Sequence, residues 1–345
     1  MLTNLLHPLL LLRVIAALVV AVLVVVGARV AVQVLARWHV MRASEGQLLL
    51  ERRAELVATL VQAALVMTVA GLALTVLAAD RLAPSIRGAM CAYGVFGSTP
   101  SGFFALATSA AAAAVCSLWV VLHRLDLRLL TPALTRRKFV ALLFVLPVVL
   151  TDLVAQLRFV LDLDFTVVAS CCSASLDGTA AAIEHAAPAG ARDLASGIAL
   201  AAGLGAVLAA LLTRKRPVAG AAYAAGALSL VAAAAAVPAV LWVVAPYAYE
   251  SPHHLCPFCL LRADVGGIGW PLFAALFVGT LLGVALAAIE TQKRAPGVAV
   301  EAAAMQRGIA SWAAAAWVLA LALAAAPVIR YLVMSGGVSL FGANG

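Results

Sequence analysis

The sequence predicts an all-α polytopic membrane bundle of about eight transmembrane helices, a single integral membrane domain over residues 1–345. Two observations carry that expectation. Hydrophobic residues make up 65% of the 345 and charged residues only 11%, whereas a soluble domain has roughly 25% charged residues. The apolar residues are also gathered into eight stretches, each near the roughly 20 residues a helix needs to cross a hydrocarbon core. A mean hydropathy of +1.10 leaves few residues for a separate soluble domain.

The first stretch runs from Pro8 to Ala36. Met1 to His7 carries no positive charge, and the apolar run exceeds the ~7–15 residues of a signal-peptide core. It therefore reads as a span. The second, Leu56 to Ala79, is preceded by Ser44 to Glu55, which reads as a short amphipathic extension of the first hairpin. The third and fourth are Phe103 to Leu122 and Phe139 to Leu161, the latter with a kink expected at Pro147. The fifth and sixth, Leu194 to Leu212 and Val218 to Ala245, are rich in Gly and Ala, with Gly197, Gly203 and Gly205 allowing close backbone approach. The last two are Trp270 to Ile289 and Ile309 to Ile329, with Trp270 and Trp312 as anchors near span ends.

Charge sets the expected orientation. Arg37, Arg42, Arg52 and Arg53 lie in one set of connections. So do Arg124, Arg128, Arg136, Arg137, Lys138, Arg214, Lys215, Arg216, Lys293, Arg294 and Arg307. The opposite set has Arg81, Arg87, Arg192, Arg262 and Arg330. Positive residues accumulate on the cytoplasmic side. Both termini are thus expected outside the cytoplasm, in a bacterial inner membrane. The net charge of +8 is read as topological anchoring in the lipid bilayer, not as a nucleic-acid or lipid-binding surface. An even number of spans also permits a 4+4 pseudo-repeat with halves 1–190 and 191–345. Thr99-Pro100-Ser101-Gly102-Phe103 and Gly269-Trp270-Pro271-Leu272-Phe273 are its local echo.

Five of the six cysteines fall in outward loops: Cys91, Cys171, Cys172, Cys256 and Cys259. Cys116 lies inside a span and reads as a small hydrophobe. The loop from Pro246 to Gly269 is the richest, with Cys256-Pro257-Phe258-Cys259 at its centre. Two cysteines at this spacing can close a disulfide ring or supply two thiolates to a soft metal. A helix starting at Pro257 would put Cys256 at its positive end and favour thiolate, with His253 or His254 tuning the charge. Adjacent cysteines rarely pair with each other, so Cys171 or Cys172 would more naturally bridge to Cys91. Structural disulfides alone are the plainest use of all these residues.

The metal reading uses His253, His254, Cys256 and Cys259, four ligands within seven residues suited to copper or zinc. Cys171, Cys172, Asp177 and His185 could complete or form a second site. Leu260 follows Cys259, so covalent haem attachment is not indicated. A transport reading rests on Asp152, an acid within the fourth span. Arg158, six residues on, is not on the same helical face as Asp152. Arg13 and Arg29 read as residues near span ends that snorkel. Asp162, Asp164 and Asp177 read as solvated loop acids.

The C-x-x-C at the outer end of a helix, a nearby arginine and further outer-loop cysteines resemble the DsbB and vitamin K epoxide reductase type of membrane thiol oxidoreductase. The likeness is local, about a tenth of the chain. It implies that Cys256 and Cys259 contact a quinone with Arg262 close by. It also implies that Cys91 with Cys171 or Cys172 forms a shuttle pair meeting a thioredoxin-like partner. Those families have four or five core helices rather than eight. In DsbB-like sequences the arginine follows the second cysteine by four residues, and here by three. The leading expectation is thiol–disulfide exchange, quinone-coupled, at the outward face, with Cys256 as nucleophile, Cys259 as resolving thiol and Arg262 assisting an acceptor. The alternatives are an accessory protein that binds copper or a related metal for an extracytoplasmic metalloprotein partner, and a transporter.

Overall fold

In a computed structural model the protein is described over residues 7–38, 44–166, 168 and 189–341. These residues are helical with turns, and no strand occurs among them. Eight helices are long and apolar enough to cross a membrane, and they coincide with the eight apolar stretches. The chain divides into two compact units, Met1–Ala169 with Lys293–Glu301, and Ser170–Gln292 with Ala302–Gly345.

The first unit holds α1 (Pro8–Arg37), α2 (Glu45–Leu82), the short α3 (Ala92–Gly97), α4 (Gly102–Asp126) and α5 (Thr135–Asp162). Pro8 opens α1, where its missing amide costs nothing. Leu10, Arg13, Ala17, Val20, Val24, Ala28, Ala31 and Val34 of α1 are buried, a stripe at three- and four-residue spacing. Leu12, Leu18 and Val22 are exposed on the remaining surface, as lipid-facing positions should be. The helices pack in a ring in which α1 and α4 each contact both α2 and α5. Gly27 lets α1 lie close against α2 and α5: a Cβ there would stand 2.8 Å from Val61 and 3.0 Å from Leu142.

Ser44 caps α2, accepting a hydrogen bond from the Gln47 amide at 3.3 Å. That cap fixes the helix start at Glu45, eleven residues before the apolar window, so the expected amphipathic extension is continuous with the span. Pro147 sits inside an unbroken α5. Cys116 is buried in the core with Trp119, Phe139 and Leu142, as a small hydrophobe would be.

The second unit holds α6 (Ala189–Lys215), α7 (Ala219–Ala239), a π-helical turn Val240–Val244 running into α8 (Ala245–Tyr249), α9 (Gly269–Gln292) and α10 (Ala299–Met334). Pro246, the second residue of α8, has no amide for the α-helical ladder. Its interior is built from small residues. Ala202 and Ala206 of α6, Ala232 of α7 and Ala275 of α9 surround Trp317 and Ala320 of α10. Trp317 Nε1 donates to Ser229 Oγ at 3.0 Å. Gly279 leaves the indole its room, since a Cβ there would stand 3.1 Å from Nε1.

Candidate functional site

The C-P-F-C segment belongs to the second unit. Cys256 is the N-cap of a single 3-10 turn, Pro257–Leu261, and a second turn, Ala263–Val265, follows. The expected helix at Pro257 is thus one turn long. The chain has few residues before α9 begins at Gly269, and Gly266 and Gly267 spend two of them in left-handed conformation, at φ +70° and +62°. A single turn carries little macrodipole, so the electrostatic help expected for Cys256 is small.

Packing and hydrogen bonds position the turn instead. Leu260 is fully buried with Val240, Val244, Ala245 and Leu272. Gly269, the first residue of α9, presses on it: a Cβ there would lie 2.8 Å from the Leu260 carbonyl carbon. Tyr249, at the end of α8, donates its hydroxyl to the Cys259 carbonyl at 2.9 Å and to Asp264 Oδ1 at 3.3 Å. Its ring stacks on His254, with centroids 3.9 Å apart and planes 15° apart. Glu250 ends α8 in left-handed conformation, φ 53°, and accepts an ion pair from Arg330 at 2.6 Å.

This framework brings Cys256 Sγ and Cys259 Sγ within 4.8 Å of each other. Cys256 is 0% and Cys259 5% exposed. Arg262 lies at the surface, 3.6 Å from Asp264. His253 is exposed and His254 half-buried. Among the described residues neither histidine joins both sulfurs in a set of ligand atoms within 4.8 Å of one another. The four-ligand arrangement of the metal reading is therefore not assembled.

In the first unit Cys91 is buried as the N-cap of α3. The turn ahead of it uses Gly88 at φ +81°. Gly102 at the start of α4 touches the backbone of Phe96, with a Cβ there only 2.7 Å from Phe96 Cα. Cys171, Cys172, Asp177 and His185 lie outside the described residues. Asp162 accepts from Ser101 Oγ at 2.5 Å. Asp164 accepts from the Thr166 amide and hydroxyl, and those hydrogen bonds hold its carboxyl below the usual range.

The largest departure from the sequence reading is Arg13. It does not snorkel: it is 4% exposed and pairs with Asp152 at 2.7 Å. All four spans of the first unit join this network. Arg13 Nε donates to Thr75 Oγ1 at 2.7 Å, and Nη2 donates to Ser109 Oγ at 2.8 Å. Ser109 donates to Asp152 Oδ1 at 2.8 Å, and Gln156 Nε2 to Ser109 Oγ at 2.9 Å. The network sits roughly 8–15 Å inside the helix ends nearest α3, at 1.5 Å per residue. Arg13, Thr75, Ser109, Asp152 and Gln156 each bond to a residue of another helix, the arrangement of a packing lock. Arg29 and Arg158 are exposed, as residues that reach the interface should be. A second buried pair, Lys138 with Asp126 at 2.5 Å, holds the opposite end of α4 to α5.

Comparisons with family models, characterised proteins and solved structures find no match to this chain.

Proposed function

We propose that this integral membrane protein exchanges disulfides through Cys256 and Cys259 at the outward face of a bacterial inner membrane. The observation that carries the reading is the approach of the two sulfurs within 4.8 Å on a turn held by packing. A disulfide needs only a modest further closure from that separation. In the exchange, a partner thiolate attacks Cys256 Sγ of the closed pair and Cys259 leaves as thiolate. The second partner thiol then attacks the mixed disulfide and Cys256 leaves. The partner gains a disulfide, and the pair holds two electrons and two protons more. A membrane quinone is the class of acceptor that can take them.

Because both sulfurs are buried, a protein thiol reaches Cys256 only when the turn lifts Leu260 from Val240, Val244, Ala245 and Leu272. Cys91, with Cys171 or Cys172, is the second thiol pair of the scheme, and a thioredoxin-like protein the partner. Arg262 assists the acceptor only after leaving Asp264.

The test is redox-state mapping of all six cysteines in membranes, with metal analysis of the purified protein. The expected result is a Cys256–Cys259 pair that is oxidised with quinone present and reduced without it. A partner lacking its second thiol should then stay in mixed disulfide with Cys256, and Cys259→Ser should abolish the exchange. A pair that stays oxidised under reducing and oxidising growth alike defeats the exchange. Stoichiometric metal lost with the cysteines would replace it by metal binding.

A further inference from the structure

The first unit contains a cavity of about 370 Å³ between the end of α1 and the start of α2. Gln33 and Arg37 line it from α1, and Ser44, Gln47, Leu49 and Arg53 from the start of α2. From the structure we infer that this cavity binds the phosphate headgroup of an acidic phospholipid, a site independent of the thiol pair.

Charge, depth and shape point the same way. Arg37 and Arg53 bring two guanidinium groups to one cavity, and guanidinium matches phosphate oxygens in pairs. Gln33 and the Ser44 hydroxyl supply neutral hydrogen-bonding groups suited to glycerol and ester oxygens, while Gln47 Nε2 is already given to Glu51 Oε1 at 2.9 Å. Gly46 also lines the cavity, and no described residue lies within 4 Å of where its Cβ would stand. The cavity sits where α1 has just left its apolar run and α2 has not yet entered its own, at the level of the lipid headgroups. Its apolar wall is the buried Leu50 and Leu49, which is 56% exposed, and Leu48 beside Leu49 is 57% exposed. Leucines exposed at that depth accept an acyl chain, which a free phosphate lacks. The loop arginines read from the sequence as simple topological anchors thus include two that share a built cavity.

The experiment uses the full-length protein in nanodiscs and in detergent. Phosphatidylglycerol, phosphatidylcholine and inorganic phosphate are compared by thermal midpoint and by lipid retained in native mass spectrometry. Phosphatidylglycerol should raise the midpoint and stay bound. Arg37→Gln with Arg53→Gln should weaken retention by about 25-fold, at about fivefold per basic contact near a charged surface. Both residues are exposed, so folding should survive. Arg128→Gln, an exposed arginine outside the cavity, should retain the lipid as the wild type does. Equal retention of phosphatidylcholine, a full midpoint shift from inorganic phosphate alone, or unchanged retention in the double variant would each overturn the assignment.

Discussion

Removing Asp152 should damage the first unit more than any other single change at a polar residue in its spans. Asp152→Ala leaves the Arg13 guanidinium 4% exposed with only the Thr75 and Ser109 hydroxyls as partners. A guanidinium cannot shed its charge. Breaking a buried ion pair from one side costs about 3–5 kcal/mol, because the surviving charge is uncompensated. Hydrogen bonds between spans contribute less, about 0.6 kcal/mol on average, so the two hydroxyls offset little of that. Arg13→Leu should cost less, since Ser109 and Gln156 still donate toward the carboxylate. Arg13→Leu combined with Asp152→Leu removes both charges and should return to within about 1–2 kcal/mol of wild type. The assay is unfolding by SDS in mixed micelles, followed by circular dichroism, across the full double-mutant cycle. Single variants within about 0.5 kcal/mol of wild type, or a double variant whose cost is the sum of the singles, would refute the pairing.

Glycine contacts, one hydrogen bond and the charge distribution give further predictions. Gly102→Ala and Gly269→Ala should each lose about 1–3 kcal/mol, because the new methyl meets the backbone of Phe96 or Leu260. Gly308→Ala, with no described residue within 4 Å of the new Cβ, should gain about 0.5–1 kcal/mol in the same SDS-unfolding assay. Tyr249→Phe loses the hydrogen bond to the Cys259 carbonyl and should loosen that turn by about 1 kcal/mol. Faster thiol labelling of Cys259 in membranes reports it, and an unchanged rate would deny the hydroxyl its role. Reporter fusions at both termini should be active only outside the cytoplasm, and a cytoplasmic signal at either end would reverse the orientation drawn from charge.

The spans were legible because lipid imposes a coarse and unbroken signal: apolar length. Their ends were less so. Helix α2 starts at a Ser44 cap and α10 begins at Ala299, ten residues before its apolar window, because polar residues continue a helix as readily as apolar ones. The Arg13–Asp152 pair was out of reach, since its members are 139 residues apart and only neighbours three or four residues on share a face in sequence. One signal pointed toward it. The buried face of α4 reads Ala105, Ser109, Ala112, Cys116, Trp119 and His123. Ser109 is a small polar residue on a helical stripe, where a contact to another span is the economical explanation. The cysteine turn was legible in composition and not in conformation. Proline after the first cysteine suits a helix start, but the distance to Gly269 leaves room for one turn.

The two units solve the same local problem in similar ways. Each places a short helical turn between its second and third spans: α3 in one, Pro257–Leu261 in the other. Each turn is capped by a cysteine, Cys91 or Cys256. Each third span begins at a glycine whose absent side chain lets the turn's backbone lie against it, Gly102 or Gly269. The short echo between Thr99–Phe103 and Gly269–Phe273 therefore marks a shared device for seating a turn on a helix end. In the interior the units part. One is tied by Arg13 and Asp152, the other by Trp317 fitted among alanines and glycines. An ion pair between spans resists separation of the helices, whereas a small-residue interface adjusts by sliding. In the unit with the C-x-x-C pair the polar restraint sits on the turn itself, through Tyr249 and the Cys259 carbonyl, and not between its spans.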